Sequence, residues 1–443
     1  MPTEQTSQIP TAIELPDGVR FLAVQWVDIH GTPKAKLVPT GGIPALCEPG
    51  GGAGFAGFAN HGFARGPEHA ELLAVPDPGT VTVLPHRPDT AVVFSRVTDG
   101  DQVATCCTRS ILARVQAEAQ AAGLSPVAGM EPEFFLLTRT PEGGIAPFDS
   151  QDELDKPCYD LATLLRSQPV LADIVSAMEA LDLGVYAVDH EDGNGQFEVN
   201  FGHADALTSA DRFTLLRSII GDIAASHGAI ASFMPKPLPG RTGSGAHVHL
   251  SAESASGENV FFDASDPRGL GLSSTAYSFI AGVLAHGRAL AALTMPSVNS
   301  YRRLQASAPA SGATWAPNAI VYGGNNRTPM IRIPAPGRFE NRAVDSSCNP
   351  YLALAGIILS GMDGVARGLD PGEPIDGLAS TLGAQVLPRT LAEALDALEM
   401  DTVLRDGLGE EALCELVAVK RAEWAAYMDA VSAWEVDTYL SRF

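Results

Sequence analysis

The segment GMEPEFFLL (129–137) places two glutamates, two residues apart, at the start of an otherwise apolar run. Such a run predicts a buried β-strand, in which successive side chains point to opposite faces. Glu131 and Glu133 then share one face, and Phe134 and Leu136 occupy the other. Two buried carboxylates repel each other, so the fold has to place positive charge between them. Taken alone, such a pair is more often a solvated strand end at a sheet edge.

Four further segments carry charged or imidazole side chains in strand-like surroundings, several of them at every second position. Period-two charge on several separate strands is hard to explain as solvated edges, because it aligns each set on one face. The residues concerned are Glu191 and Glu198 in HEDGNGQFEVNF, His247 and His249 in GSGAHVHLS, Arg332, Arg338, Glu340 and Arg342 in PMIRIPAPGRFENR, and Arg302 and Arg303 in NSYRRL.

If these faces converge on one concave sheet, the glutamates, one or two histidines and several arginines share a single site. A carboxylate-rich shell suits hard divalent ions such as Mg²⁺ or Mn²⁺, and its carboxylates suffice for two cations. Arginines beside the metals indicate an anionic ligand, because their forked donors match carboxylate and phosphate oxygens. Metal-bridged phosphates among arginines are typical of phosphoryl transfer.

Each element of this set also has a simpler interpretation. His247 and His249 could be core histidines, and Arg338 and Arg342 could form a structural ion-pair ladder with Glu340. A cupin-like metal site built from His247, His249 and Glu253 is a sharper alternative, but it leaves the other carboxylates without a role.

The length of 443 residues predicts two domains, one small and one large. Segments typical of short strands and turns fill residues 19–100, and helices alternate with strands from Thr108, which places the boundary near residue 104. Helices are predicted to end at Gly123 and at Gly184, and the second helix is predicted from the apolar pattern of residues 169–184. The glycine-rich tract at 50–59 is predicted to be a flexible loop.

The formal charge of -23 argues against a nucleic-acid or anionic-membrane partner, since either needs a basic surface. The six cysteines have no CxxC spacing, which fits reduced thiols. The polar segment at the N-terminus has neither a basic region nor an apolar one, so no signal peptide is expected. The apolar stretch 277–295 carries His286 and Arg288, which favours a buried helix over a membrane span. A cytoplasmic protein is predicted.

Seven motifs, taken in order, resemble the glutamine synthetase family from about residue 20 to the C-terminus. They are GMEPEFFLL, HEDGNGQFEVNF, FMPKP, GSGAHVHLS, NSYRRL, NRTPMIRIP and NPYLALAGIILSGMDG. Within the family, the segments ELDKPCYD, SDPRGLGLS and SGATWAPN resemble the γ-glutamylmethylamide synthetases, which join glutamate to an amine.

The resemblance implies an α+β fold with a small N-terminal β-grasp domain (1–104). A larger catalytic domain (105–443) would contain a curved, mainly antiparallel sheet flanked by helices. It also implies a homo-oligomer, a dodecamer of two hexameric rings, with active sites between neighbouring subunits.

The resemblance further assigns individual residues to ligands, with two to three Mg²⁺ or Mn²⁺ ions and ATP in each active site. The first metal ion would be bound by Glu133, Glu191 and Glu198, and the second by Glu131, His247 and Glu340. ATP would be bound by Phe201, His249, Ser251, Arg332 and Arg338. Glutamate would be bound by Arg303, Arg342 and the backbone of Gly243. Asp28, in WVDIHG, would reach the amine site of the next subunit and act in catalysis with Arg303 and Arg332; it is equally typical of a hairpin turn.

The activity implied is an ATP-dependent ligation of glutamate to a small primary amine through γ-glutamyl phosphate. The amine then displaces phosphate, and a nearby acid takes its proton, because only a free amine is nucleophilic. Two alternatives are a glutamine synthetase that uses ammonia and a catalytically silent member of the family with a structural or regulatory role.

Departures from the family pattern concern mainly the second substrate. Glutamine synthetases carry a flap glutamate after the NSYxRL motif, whereas QASAPASGATWAPNA (305–319) contains no acid. An uncharged flap favours an alkylamine, whose apolar part gains from burial, and residues 310–315 are predicted to form the amine pocket wall.

Other departures lie beside the predicted ligands. Thr242 replaces the usual asparagine, and Asn325 replaces an arginine of ammonia-using members. RAVD (342–345) replaces a proline-containing turn, and PGEPIDGLAST lacks the tyrosine motif of adenylylated synthetases, so no such regulation is expected.

Overall fold

The N-terminal part of the chain forms a mixed β-sheet. The computed structural model describes residues 12–304 and 316–443. The strands are β1 (Phe21–Val27), β2 (Pro33–Pro39), β3 (Ala53–Phe55), β4 (Leu72–Pro76), β5 (Thr82–Leu84), β6 (Arg87–Asp99) and β7 (Gln102–Val103), with a short helix α1 (Ile43–Leu46). Strands β1 and β6 run parallel, and the other pairs in the order β2-β1-β6-β4-β3 are antiparallel. This mixed order agrees with the predicted β-grasp architecture.

The glycine-rich tract at 50–59 was predicted to be a flexible loop, and this prediction is wrong in part. Strand β3 lies within the tract and pairs antiparallel with β4. The Phe55 ring stacks on the Trp26 ring, with centroids 4.2 Å apart, so a buried aromatic contact holds the tract against β1.

A larger sheet occupies the middle of the chain. Its strands are β8 (Ser125–Arg139), β9 (Ile145–Pro147), β10 (Ala187–His190), β11 (Gln196–Asn200), β12 (Ala204–Asp205), β13 (Ile230–Ser232), β14 (Ala246–Glu253), β15 (Tyr322–Gly323), β16 (Ile331–Ala335) and β17 (Arg338–Asn341). The order is β10-β11-β8-β14-β17-β16-β15, with β9, β12 and β13 also on β8. Every described pair except β15 with β16 is antiparallel. The predicted α+β fold with a mainly antiparallel larger sheet is confirmed.

Helices surround this sheet. They are α2 (Thr108–Ala121), α3 (Leu161–Ala180), α4 (Ala206–Ser226), α5 (Ser274–Ala285), α6 (Gly287–Thr294), α7 (Ser300–Leu304), α8 (Pro350–Arg367), α9 (Leu391–Met400), α10 (Thr402–Leu408), α11 (Glu410–Asp429) and α12 (Ala433–Tyr439). The division into two domains at residue 104 stays a prediction. One hydrophobic cluster includes residues from both sides of this boundary, among them Val24 in β1 and Leu112 in α2.

Helix α3 begins earlier than its apolar pattern predicts. The predicted segment starts at Pro169, but this proline lies inside the helix. Asp160 supplies the N-cap, since its carboxylate accepts a hydrogen bond from the Thr163 amide at 2.8 Å. Gly123 has φ +85° directly after the C-cap of α2, so it occupies the predicted left-handed position. Helix α3 ends at Ala180, earlier than predicted, and Asp182 takes the left-handed position past its end with φ +51°; Gly184, with φ +64°, lies two residues further on.

The apolar stretch around His286 is two helices rather than one. Helices α5 and α6 meet at His286 with a bend of 76°. Across the described ranges, no single helix is long and apolar enough to cross a membrane. Helices α5 and α6 taken together reach the required length and apolar composition, but they are bent against each other. The His286 Nδ1 donates to Asp401 at 2.6 Å, and its Nε2 donates to Asp363 at 3.1 Å. Two carboxylate partners require a protonated ring.

The free energy of unfolding is expected to depend on pH through His286. Burial opposes its charge, but hydrogen bonds to Asp401 and Asp363 outweigh burial and raise the pKa of His286. This stabilisation is fully present below the unfolded-state pKa of about 6.5 and is lost as pH rises through the raised folded-state pKa. His286→Gln should therefore cost about 1.5–3 kcal/mol near pH 6 and less near pH 8.5. Urea unfolding of both proteins at the two pH values measures this, and an equal cost at both would contradict it.

Candidate active site

The register of five adjacent strands assembles the predicted residues into one row. Glu198 on β11 pairs with Glu133 on β8, and His247 on β14 pairs with Glu131 on β8. The row continues through β17 and β16, where the Cα partners are His249 with Glu340 and Arg332 with Glu340. Four segments that are distant in sequence therefore present their polar faces to the same side of the sheet.

Glu131 and Glu133 lie on the same face, on either side of one imidazole. His247 Nδ1 is 3.6 Å from Glu131, and His247 Nε2 is 3.9 Å from Glu133. The imidazole lies between the two carboxylates, but burial and the nearby Arg342 lower the pKa of His247, so it does not itself supply the positive charge that the sequence required.

A cavity of about 500 Å³ opens above this row. All six predicted metal ligands line it, together with Arg332 and Arg342. Residues for which the sequence indicated no role also line it: Cys158, Tyr159, Tyr186, Asp189, Asn200 and Arg327. Four of these lie in the quoted motifs: Cys158 and Tyr159 in ELDKPCYD, Asn200 in HEDGNGQFEVNF and Arg327 in NRTPMIRIP.

The residues present fit divalent cations. Two overlapping groups place one ligand atom per residue within 4.8 Å of one another: Glu131, His247 and Glu340, and Glu133, Glu198 and His247. The first group coincides with the predicted second metal site. In the second group His247 takes the place predicted for Glu191, which lines the same cavity. His247 Nε2 is also buried without a hydrogen-bond partner in the described structure, as expected of an atom that awaits a ligand.

Crowded negative charge perturbs these carboxyl groups. Burial and the nearby Glu133 raise the pKa of Glu191 to about 8. Burial and Glu131 raise the pKa of Glu198 well above its usual range. Burial also opposes the charge of Glu131, but contacts with His247 and His249 prevail and lower its pKa. A bound divalent cation would favour the ionised form of all three carboxyl groups.

Arginines frame the side of the cavity formed by β16 and β17. Arg332 Nη1 donates to Glu340 at 2.7 Å, while its Nε and Nη2 donate to the Asn325 side-chain oxygen at 2.9 and 2.6 Å. Arg342 donates to the other oxygen of Glu340. An ion-pair ladder around Glu340 is therefore present, with Arg332 rather than the predicted Arg338 as the partner of Arg342, and it lies within the cavity wall rather than replacing the site.

The predicted glutamate-binding residues lie beside the carboxylates. Arg303 is 5 % exposed and donates to the Val344 carbonyl at 3.3 Å, within the RAVD turn. No carboxylate in the described part of the chain pairs with Arg303 within 4 Å. A Cβ added to Gly243 would meet the Arg303 side chain at 2.9 Å, so this glycine permits a close approach. A buried guanidinium of this kind suits an anionic ligand.

The predicted ATP-binding residues are spread over β14, β16, β17 and the segment just beyond β11. His249 Nε2 lies 2.9 Å from Glu131, and both of its ring nitrogens are buried without a hydrogen-bond partner in the described structure. Ser251 follows on β14, Arg338 is exposed at the start of β17, and Phe201 is buried just beyond β11. Their role in binding a nucleotide stays a prediction. Glu253 is exposed at the far end of β14, which removes the basis of the cupin-like alternative.

Asp28 lies outside this cluster, in the turn between β1 and β2. Its Oδ1 accepts hydrogen bonds from the amides of His30 and Thr32, both at 3.0 Å, and its side chain is 1 % exposed. Its Oδ2 lies 3.6 Å from Lys34 Nζ. The described contacts are those of a turn aspartate, and its reach into a neighbouring subunit stays a prediction. The predicted amine pocket wall, 310–315, falls outside the described residues.

A buried polar anchor supports the turn that carries Glu191. His190 Nδ1 donates to the Pro157 carbonyl at 2.6 Å, and His190 Nε2 lies 2.8 Å from the Asp152 carboxylate. Asp152 also accepts from the Asn194 side chain and the Gly195 amide. These residues tie the Glu191 turn to the 152–159 loop that brings Tyr159 to the cavity. Sequence reasoning missed this anchor, because its hydrogen bonds join residues that are 33 or more positions apart and show no shared pattern.

Comparison with known proteins gives one consistent result. Residues 105–439 match the family model of the glutamine synthetase catalytic domain. A glutamate–methylamine ligase from Methyloversatilis universalis is 44% identical over 434 residues, covering 96% of this chain and 97% of the relative. A glutamine synthetase from Rhizobium meliloti is 41% identical over 429 residues, covering 96% and 97%. A solved structure described as a GmaS–ADP complex superposes with a TM-score of 0.90 at 42% identity, covering 96% of this chain and 97% of that one.

Proposed function

The chain belongs to the glutamine synthetase family, and from this premise we propose that it is an ATP-dependent ligase that joins glutamate to a small primary amine such as methylamine. The observation that carries the proposal is the cavity in which five glutamates, His247 and three arginines converge from segments that are distant in sequence. Enzymes of this family use ATP and divalent metal, and the carboxylate-rich cavity suits both.

Glutamate is held, in this proposal, by Arg303 and Arg342 and by the backbone at Gly243. Arg342 is fixed before the substrate arrives, since it donates to Glu340 and to the Arg327 carbonyl at 3.2 Å. Arg303 has no carboxylate partner in the described structure, so the substrate carboxylate can supply one. Preformed donors of this kind orient the substrate at little entropic cost.

ATP would be held by His249, Ser251, Arg338 and Phe201. Two or three Mg²⁺ or Mn²⁺ ions, held by the six ligands named above, would supply charge neutralisation between the phosphates and the attacking carboxylate. Arg332 is oriented toward the same space by Glu340 and Asn325, and we assign it to the charge of the transferred phosphoryl group.

The reaction has two steps. The side-chain carboxylate of glutamate attacks the terminal phosphoryl group of ATP and yields γ-glutamyl phosphate and ADP. The amine then attacks the γ-carbonyl and releases phosphate, after losing a proton to a nearby acid, for which Asp28 of a neighbouring subunit is the candidate. This assignment depends on the proposed ring assembly, a dodecamer of two hexamers, which light scattering of the purified protein tests.

The absence of an acid from residues 305–315 supports an alkylamine as the second substrate. A charged flap stabilises ammonium, whereas an apolar one gains from burial of a methyl group. The six cysteines are free thiols, which is compatible with the predicted cytoplasmic location.

Phosphate release from ATP with glutamate and Mg²⁺, compared across ammonia, methylamine, ethylamine and ethanolamine, tests the proposal. We expect kcat/KM for methylamine to exceed that for ammonia by about 10-fold or more, since one methyl group in a fitted pocket provides discrimination of this size. Product masses should show the γ-glutamylamide. A preference for ammonia would instead identify a glutamine synthetase, and no turnover with any amine would indicate a catalytically silent relative.

A further inference from the structure

A chain of buried hydrogen bonds lies behind Glu133. The Thr242 hydroxyl donates to the Gln196 side-chain oxygen at 3.0 Å. The Gln196 side-chain amide donates to Glu133 Oε2 at 2.8 Å and to the Gly243 carbonyl at 3.2 Å. Thr242, Gln196 and Glu133 are 8 %, 1 % and 6 % exposed, so water has little access to replace these bonds. The mechanism proposed above gives no role to Thr242 or Gln196.

This chain determines which oxygen of Glu133 faces the cavity. Glu133 Oε2 accepts two hydrogen bonds from fixed donors, the Gln196 amide and the Gly245 backbone amide, both at 2.8 Å. The other oxygen, Oε1, is the one that lies 3.9 Å from His247 Nε2. Pinning Oε2 from behind therefore leaves Oε1 directed at the group of possible ligands formed by Glu133, Glu198 and His247.

The Gln196 amide keeps this orientation only while its own oxygen is satisfied. If the Gln196 side-chain amide were rotated by half a turn, its oxygen would face the Glu133 carboxylate and the Gly243 carbonyl, which are both acceptors. Without the Thr242 hydroxyl, the buried oxygen has no donor among its described contacts, and the side chain gains by rotating away from Glu133.

We propose that Thr242 is a positioning residue that acts through Gln196 to fix Glu133 for the divalent cation and Gly243 for glutamate. The inference rests on the proposed function for the roles of Glu133 as a metal ligand and of Gly243 in the glutamate site. It explains what the threonine at this position does, where the family pattern has asparagine.

The test compares Thr242→Val, which keeps the shape and removes the hydroxyl, with Thr242→Ser, which keeps the hydroxyl. Thr214→Val is the matched control, because Thr214 is also buried, does not line the cavity and has a hydroxyl that donates to the Ala210 carbonyl at 2.9 Å within α4. Mn²⁺ binding is measured by calorimetry without substrates, and the KM values for Mg²⁺ and glutamate are measured where the enzyme turns over.

Thr242→Val should weaken Mn²⁺ binding by about 10-fold, the lower end of the loss that follows removal of a supporting hydrogen bond behind a metal ligand. It should also raise both KM values. The kcat at saturating Mg²⁺ should stay within about 2-fold of the parent, because a high Mg²⁺ concentration fills the weakened site. Thr242→Ser and Thr214→Val should bind Mn²⁺ like the parent protein.

Equal Mn²⁺ binding by Thr242→Val and the parent would overturn the inference. A loss in Thr242→Ser as large as in Thr242→Val would overturn it too, because packing rather than the hydroxyl would then be responsible. Mn²⁺ binding that weakens as expected in a protein without ligase activity would support this inference and refute the proposed function, so the two failures are distinguishable.

Discussion

Glu340→Gln is expected to lower kcat/KM by about 10³-fold, the size of effect that follows loss of a central electrostatic group from an active site. Glu340 is fully buried and accepts hydrogen bonds from Arg332 at 2.7 Å and from Arg342. Its Oε1 lies 3.6 Å from His247 Nδ1. Burial would raise the pKa of Glu340, but the charges of His247 and Arg342 lower it, so the native side chain carries a full negative charge. The amide removes that charge and turns an acceptor into a donor facing two guanidinium groups.

Phosphate release at varied glutamate, with saturating ATP, amine and Mg²⁺, measures this loss in kcat/KM, and circular dichroism verifies that the variant is folded. Glu118→Gln is the matched control, because it neutralises an exposed carboxylate that pairs with Arg114 in α2. The control should change kcat/KM by less than about 2-fold, as surface pairs contribute little. Retention of more than a tenth of the activity by Glu340→Gln would show that Glu340 is not a metal ligand.

Arg109→Ala is expected to lower the free energy of unfolding by about 3–5 kcal/mol, the cost of leaving a buried charge without its partner. Arg109 in α2 donates from Nε at 3.0 Å and from Nη2 at 2.9 Å to the Asp211 carboxylate in α4. The Tyr351 hydroxyl in α8 donates to the same carboxylate at 2.7 Å. The pair thus joins three helices, and its loss leaves Asp211 buried next to apolar side chains.

Urea unfolding of Arg109→Ala and of Arg114→Ala separates this effect from a general effect of removing arginine from α2. Arg114 is half-exposed, so its loss should cost no more than about 1 kcal/mol. The double variant Arg109→Leu with Asp211→Leu should recover part of the stability, since it leaves no buried charge unpaired; Asp77, the other partner of Arg109, is half-exposed and stays solvated. A cost below about 1 kcal/mol for Arg109→Ala would mean that water reaches Asp211.

Much of the active site was predictable because the side-chain period of a strand does not depend on its neighbours. Glu131 and Glu133 had to share a face, as did His247 and His249, whatever strands came to lie beside them. The residue types then indicated hard cations and an anionic ligand. The family resemblance added the order of the motifs and the pairing of Glu131, His247 and Glu340, which the structure places within ligand distance of one another.

Local patterns failed where a long-range contact outweighed them. Pro169 was read as the start of α3, but Asp160 caps the helix nine residues earlier. The single apolar helix around His286 is broken into α5 and α6, with His286 held at the break by Asp363 and Asp401. The glycine tract at 50–59 is ordered in part by the stacking of Phe55 on Trp26, from another strand.

The sequence by itself determined the strand faces, the chemistry of the cations and anions they suit, and membership of the family. The tertiary structure alone decided which oxygen of Glu133 is free, because Gln196, 63 residues away, and the Gly245 amide, 112 residues away, hold the other one. It also decided that Asp152 and His190 anchor the Glu191 turn. Hydrogen bonds between side chains so far apart leave no period in the sequence, since their geometry exists only after the strands have paired in register.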